Sequence, residues 1–145
     1  MILFIDTASA DNRVAVLDND LCVVEERVWS AGRDQAELVL PAVSELVGRS
    51  VAKSSGKSVG ISGGDFLKLE RVIVVTGPGP FTGVRIGIAV ANALSYALSI
   101  PATGVRLDHL ERYGSIDKVP ENLFSKDGFT QPYYKKPPNI TESKK

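Results

Sequence analysis

Residues 71–98 read RVIVVTGPGPFTGVRIGIAVANALSYAL. The β-branched run at 71–76 suits a strand buried on both faces, as in a parallel sheet, and it is expected to be the central strand. Gly77-Pro78-Gly79-Pro80 then breaks the run, and a helix is expected from Thr82 or Gly83 to Leu98. A strand, a glycine turn and a helix in immediate succession define an α/β fold. Free amides at a helix start behind such a turn suit an anion, but the same glycines also permit a tight corner with nothing bound. Neither the Gly-Lys-Ser/Thr ending of a phosphate loop nor the dinucleotide spacing is present.

Working outward, apolar runs at 2–5 and 14–17 and a third segment over 21–29 are separated by the polar turns 6–13 and 18–20. This pattern predicts a three-stranded meander, so the whole sheet is mixed. Between meander and strand, Ala36, Leu40, Val43 and Val47 recur at helical spacing, predicting a helix over 35–47 with Asp34 as N-cap. Pro41 inside it predicts a kink. Residues 48–64, rich in Ser, Gly and Lys, read as a loop, and residues 101–105 as a last short strand. The character changes after Leu110: residues 111–145 carry seven basic residues, five acids and four of the eight prolines, without long hydrophobic periodicity. The expected division is a lobe over 1–110 and a basic, proline-containing tail or strap over 111–145.

The chain has 145 residues, 17 Lys plus Arg and 17 Asp plus Glu, a formal charge of +0. Such a length fits one domain. The balance excludes a protein whose main work is neutralising phosphates, so any RNA contact is indirect or local. Hydrophobic residues at 43% exclude global disorder. Cys22 is the single cysteine and has no partner for a disulfide, and no basic residues precede the first apolar run; a cytoplasmic location is expected. The uncharged stretch 86–105 is interrupted by Asn92, Ser95, Ser99, Pro101 and Gly104, so it reads as a buried helix and a strand and no membrane partner is expected. With His109 the only histidine, no two-histidine metal site exists, and no serine sits in a Gly-x-Ser-x-Gly elbow. No catalytic residue and no metal ligand is assigned.

The helix after the glycine turn carries the sharpest signal. Gly83, Gly87, Ala91 and Ser95 lie four apart and form a small-residue stripe that lets another element approach closely. Val84, Ile86, Ile88, Val90, Leu94, Tyr96 and Leu98 make nearly every other direction apolar. A helix on a sheet needs one apolar stripe, so its outer side must be covered by the tail or, as preferred here, by a partner helix.

These residues resemble the TsaB (YeaZ) family of tRNA threonylcarbamoyladenosine biosynthesis. Ile2-Leu3-Phe4-Ile5-Asp6-Thr7-Ala8 is similar to its opening strand. Gly77-Pro78-Gly79-Pro80-Phe81-Thr82-Gly83-Val84-Arg85-Ile86-Gly87 is similar to its signature, with Pro80 in place of serine. Leu38-Val39-Leu40-Pro41 matches its first helix, and Gln131-Pro132-Tyr133-Tyr134-Lys135-Lys136 its C-terminal ending. The resemblance implies a single actin-like (ribonuclease H-like) lobe with two main helices, most of the second lobe being replaced by about 20 residues. In that superfamily nucleotide lies between two lobes, so no cofactor is assigned, ATP belongs to the partner complex, and Asp6 is a weak candidate contact that more plainly caps its turn. The catalytic relative TsaD carries a histidine metal pair where Asp34, Gln35 and Val39 stand here, so no metal is implied.

The resemblance further implies a non-catalytic scaffold for TsaD, with TsaE a candidate further subunit and tRNA contacted only indirectly. The interface expected is Leu40, Val43, Gly83, Val84, Gly87, Ile88, Val90 and Ala91. Two rivals come from other classes: a reduced actin-like phosphotransferase or glycoprotease-like enzyme, and a homodimeric module using the same helices.

Overall fold

All five residues of the opening apolar run are buried and form β1 (Ile2–Asp6), the middle strand of a five-stranded sheet. The computed structural model describes residues 1–56, 63–126 and 128–135. β2 (Asp11–Leu17) and β3 (Val23–Ser30) complete the meander, each antiparallel to the strand before it. Crossovers then add β4 (Arg71–Val75) parallel to β1, and β5 (Ala102–Val105) parallel to β4, in the order β3-β2-β1-β4-β5. The central place thus belongs to β1 and not, as expected, to β4. A continuous β-branched run reports pairing on both edges and cover on both faces, and β4 has these as the second interior parallel strand.

Helices α1 (Gln35–Ser55) and α2 (Phe81–Leu98) lie side by side on one face of the sheet. Leu3, Ile5, Val14, Val16, Val72 and Val74 point toward them by strand alternation and are almost wholly buried. The opposite face, with Phe4 and Ile73, is covered by α3 (Leu107–Tyr113) and by Ile116, Val119 and Phe124, which join the same core. The core therefore continues past Leu110, where the sequence changes character.

α1 runs about two turns past its expected end, so residues 48–55 are helical and not loop. Val47, Val51 and Ala52 remain buried there, and the 3-10 turn Gly63–Lys68 lies against this half of the helix. Burial outweighs the weak helix preference of Gly48 and Ser50. Gly56, at φ 66°, ends the helix in the left-handed conformation. The remainder of the Ser/Gly/Lys run, 57–62, lies outside the described residues. Pro41 sits on the exposed side and the helix continues through it. Asp34 occupies the expected N-cap position, but its backbone carbonyl, not its side chain, accepts from Glu37 and Leu38 N–H.

Candidate partner interface

Gly79, Gly83 and Gly87 of the signature face the residues at the end of the chain's own β1, while Gly77 faces the backbone of Tyr133. A Cβ on Gly83 would lie 2.2 Å from the backbone oxygen of Thr7, and one on Gly79 2.3 Å from that of Ala8. A Cβ on Gly87 would lie 2.4 Å from Thr7 Oγ1 and in van der Waals range of Val74 and Ile5. The Thr7 hydroxyl donates to Gly83 O at 2.6 Å, locking the end of β1 to the first turn of α2. Gln35 Nε2, from the first turn of α1, donates to Thr7 O at 3.2 Å and to Asn12 Oδ1. The glycine pattern is thus a close-packing requirement of the corner where β1, α1 and α2 meet.

Asp6 is engaged in the turn after β1. Its Oδ1 accepts from Ala8 N–H at 2.9 Å and Ser9 N–H at 3.1 Å, and its Oδ2 accepts from the Ser9 hydroxyl at 2.6 Å. Asp6→Ala removes three bonds to a nearly buried carboxylate and is expected to destabilise the fold by about 2 kcal/mol. Urea denaturation checks this, and a change under about 0.5 kcal/mol would contradict the turn role.

The expected interface residues divide. Val43, Gly83, Val84, Gly87, Ile88 and Ala91 are buried beneath their own helices, while Leu40 is 49% exposed and Val90 half-buried. The close approach permitted by the small-residue stripe is to the chain's own sheet, because a period of four marks a face without saying what packs on it. The accessible apolar surface lies elsewhere on the same pair of helices. Ala36 of α1 and Ile86 of α2 line one shallow cavity of about 240 Å³ with Gln35 and Gly83. One turn further along each helix come Leu40 and Val90, and the exposed Ala93 and Ala97 continue the α2 row. Ala36, Ile86, Ala93 and Ala97 were not among the expected residues. They are found by extending helical spacing from Leu40 on α1 and from Val90 on α2.

The other flank of α2 is covered by residues 128–134, which with 125–126 form an extended strap. Ser125 N–H donates to Gly104 O at 2.8 Å, Ala102 N–H to Gly128 O at 3.3 Å and Tyr133 N–H to Thr76 O at 2.7 Å. The Asn92 amide brackets the Thr130 backbone, donating to its O at 3.1 Å and accepting from its N–H at 3.0 Å. Phe81 and Tyr134 pack with ring centroids 4.6 Å apart. Asn92→Ala should free the strap at a cost of about 1–2 kcal/mol. Amide exchange is expected to show the 128–134 backbone losing protection while β1 keeps its own; unchanged exchange at Thr130 would refute the bracket.

Cys22 stands just before β3 and is exposed, and the Asp18 carboxylate raises its thiol pKa, which keeps it protonated and weakly nucleophilic. His109 lies half-buried on α3 and not on the open surface. Among the described residues no group of three or more His, Cys, Asp or Glu is arranged to hold a metal ion. α2 is long and apolar enough by composition to cross a membrane, but its inner side packs on the sheet.

A mixed sheet in the order 3-2-1-4-5, opening with an antiparallel meander and carrying two crossover helices on one face, is an actin-like (ribonuclease H-like) lobe. The family model described as TsaD, tRNA N6-adenosine threonylcarbamoyltransferase, matches residues 37–121. The chain belongs to this family, on its TsaB (YeaZ) branch. It is 28% identical over 133 residues to the tRNA threonylcarbamoyladenosine biosynthesis protein TsaB of Bacillus subtilis, covering 92% of this chain and 49% of that protein. It is 31% identical over 104 residues to TsaB of Escherichia coli, covering 72% of this chain and 39% of that protein. The solved structure of YeaZ from Pseudomonas aeruginosa superposes with TM-score 0.54 at 28% identity, covering 72% of this chain and 43% of that one. The chain spans less than half the length of each of these relatives.

Proposed function

We propose that the chain serves tRNA threonylcarbamoyladenosine biosynthesis as a non-catalytic subunit that docks the catalytic protein TsaD. The observation that carries this reading is the apolar strip of Ala36 and Leu40 on α1 beside Ile86, Val90, Ala93 and Ala97 on α2, left accessible on a TsaB-branch lobe. Small and branched residues at helical spacing on two adjacent helices suit a matching helix pair, each well-covered Leu or Val adding about 1.5–3 kcal/mol. Asp6 is committed to its own turn, so the reading assigns nucleotide to the partner complex. Such a subunit works in the cytoplasm, as the lone Cys22 suggests. Sedimentation of the chain mixed with the TsaD of its own organism tests the reading. A single heavier boundary is expected; two independent boundaries would refute it, and a heavy boundary from the chain alone would favour self-association through the same strip.

A further inference from the structure

Residues 128–134 lie in a groove shaped for a peptide backbone. Two glycines keep it open: a Cβ on Gly77 would stand 2.5 Å from Tyr133 O, and one on Gly104 3.4 Å from Thr130 Cγ2. Backbone groups along its wall are taken up in turn by the strap, Thr76 O by Tyr133 N–H at 2.7 Å and Ala102 N–H by Gly128 O at 3.3 Å. From α2 the Asn92 amide grips both backbone groups of Thr130. All of these contacts read main chain. Of the side chains in 128–134 only that of Thr130 is buried, at 4% exposure, while Phe129, Gln131, Pro132 and Tyr133 are exposed and Tyr134 rests on Phe81. A segment that buries so little side-chain surface opens easily. A groove that grips backbone also accepts other chains of the same shape.

We propose that this groove is a binding site for an extended peptide segment of another polypeptide, with residues 128–134 as its built-in competitor. The segment it fits has a residue of threonine size at the place bracketed by Asn92, where the side chain is enclosed, and an aromatic ring four residues later, where Tyr134 meets Phe81 at 4.6 Å. The positions on either side of Thr130 are exposed and free to vary. The strap of a second copy is the poorer occupant. Each copy already fills its own groove with a tethered segment, at an effective concentration on the order of millimolar, and exchange between identical copies adds no contact. A foreign segment can add contacts at the exposed positions and so displace the strap. The groove lies on the flank of α2 away from the strip proposed for TsaD, so peptide binding and docking are independent.

The test is fluorescence anisotropy of the full chain with a labelled synthetic peptide of residues 125–135, SKDGFTQPYYK. Thr130→Asp in the chain puts a carboxylate at the enclosed position and lifts the strap without altering the groove. This variant is expected to bind the peptide at least about ten-fold tighter than the parent, because apparent affinity falls with the fraction of open sites. Adding Asn92→Ala should cost about ten-fold or more by removing the backbone grip. A peptide carrying Phe129→Ala and Gln131→Ala should bind within about three-fold of the original, since both side chains are exposed. If Thr130→Asp does not fold, Tyr134→Ala, which removes only the ring on Phe81, opens the strap instead. Binding no tighter to the opened chain than to the parent, no loss with Asn92→Ala, or equal binding of a scrambled peptide would each overturn the proposal. A dimer of the parent chain that Asn92→Ala dissolves would also overturn it, by naming a second copy's strap as the occupant.

Discussion

Gly83→Ala is expected to lower the melting temperature by roughly 10 °C, against the usual sign of such a change. In an open helix, alanine gains about 1 kcal/mol over glycine. Here the new Cβ would stand 2.2 Å from the backbone oxygen of Thr7, an atom that cannot swing aside as a side-chain end would. Relief requires moving α2 off the end of β1, and overpacking of this kind costs about 1–3 kcal/mol, sometimes more. It also strains the Thr7 hydroxyl bond to Gly83 O, whose loss adds about 1 kcal/mol. The sum of about 3 kcal/mol outweighs the propensity gain. Circular dichroism melts read the effect. If Gly83 instead faced a partner molecule, the isolated variant would melt at or above the parent temperature and only association would weaken, so the two accounts differ in sign on one measurement.

That contrast marks what was legible beforehand and what was not. The strands, the meander and the extent of α2 follow from alternation, β-branching and the glycine turn, each a local property of a few neighbouring residues. The direction in which Gly83, Gly87 and Ala91 face is not local. It depends on where Thr7, some 76 residues away, places its carbonyl and hydroxyl. The end of α1 was hidden for the same reason, since Val51 and Ala52 are buried in a helical continuation that the Gly and Ser around them disfavour. The strap was visible as composition, but the Asn92 bracket and the Gly104 and Thr76 carbonyls that hold it are pairings across sequence distance. Of the residues named as a candidate interface, Val43, Gly83, Val84, Gly87, Ile88 and Ala91 are therefore spent on the chain's own fold, and Leu40 and Val90 are the ones left accessible.

Leu40→Glu supplies the second large effect, on association instead of folding. Leu40 is 49% exposed in the isolated chain, so a carboxylate there remains hydrated and the monomer should melt within about 2 °C of the parent. In a complex covering the strip, the variant loses the buried leucine, about 1.5–3 kcal/mol, and must also strip water from a charge with no partner across the interface. Together these weaken binding to TsaD by at least about 100-fold, since each 1.4 kcal/mol is a factor of ten. Val28→Glu is the control, for Val28 is 53% exposed on β3 and alternates to the sheet face opposite Arg27, which pairs with Glu45 of α1 at 2.7 Å. Titration calorimetry should find the control indistinguishable from the parent. If Val28→Glu weakens binding as much as Leu40→Glu, the partner does not dock on the α1–α2 strip, and the small residues of α2 serve the fold alone.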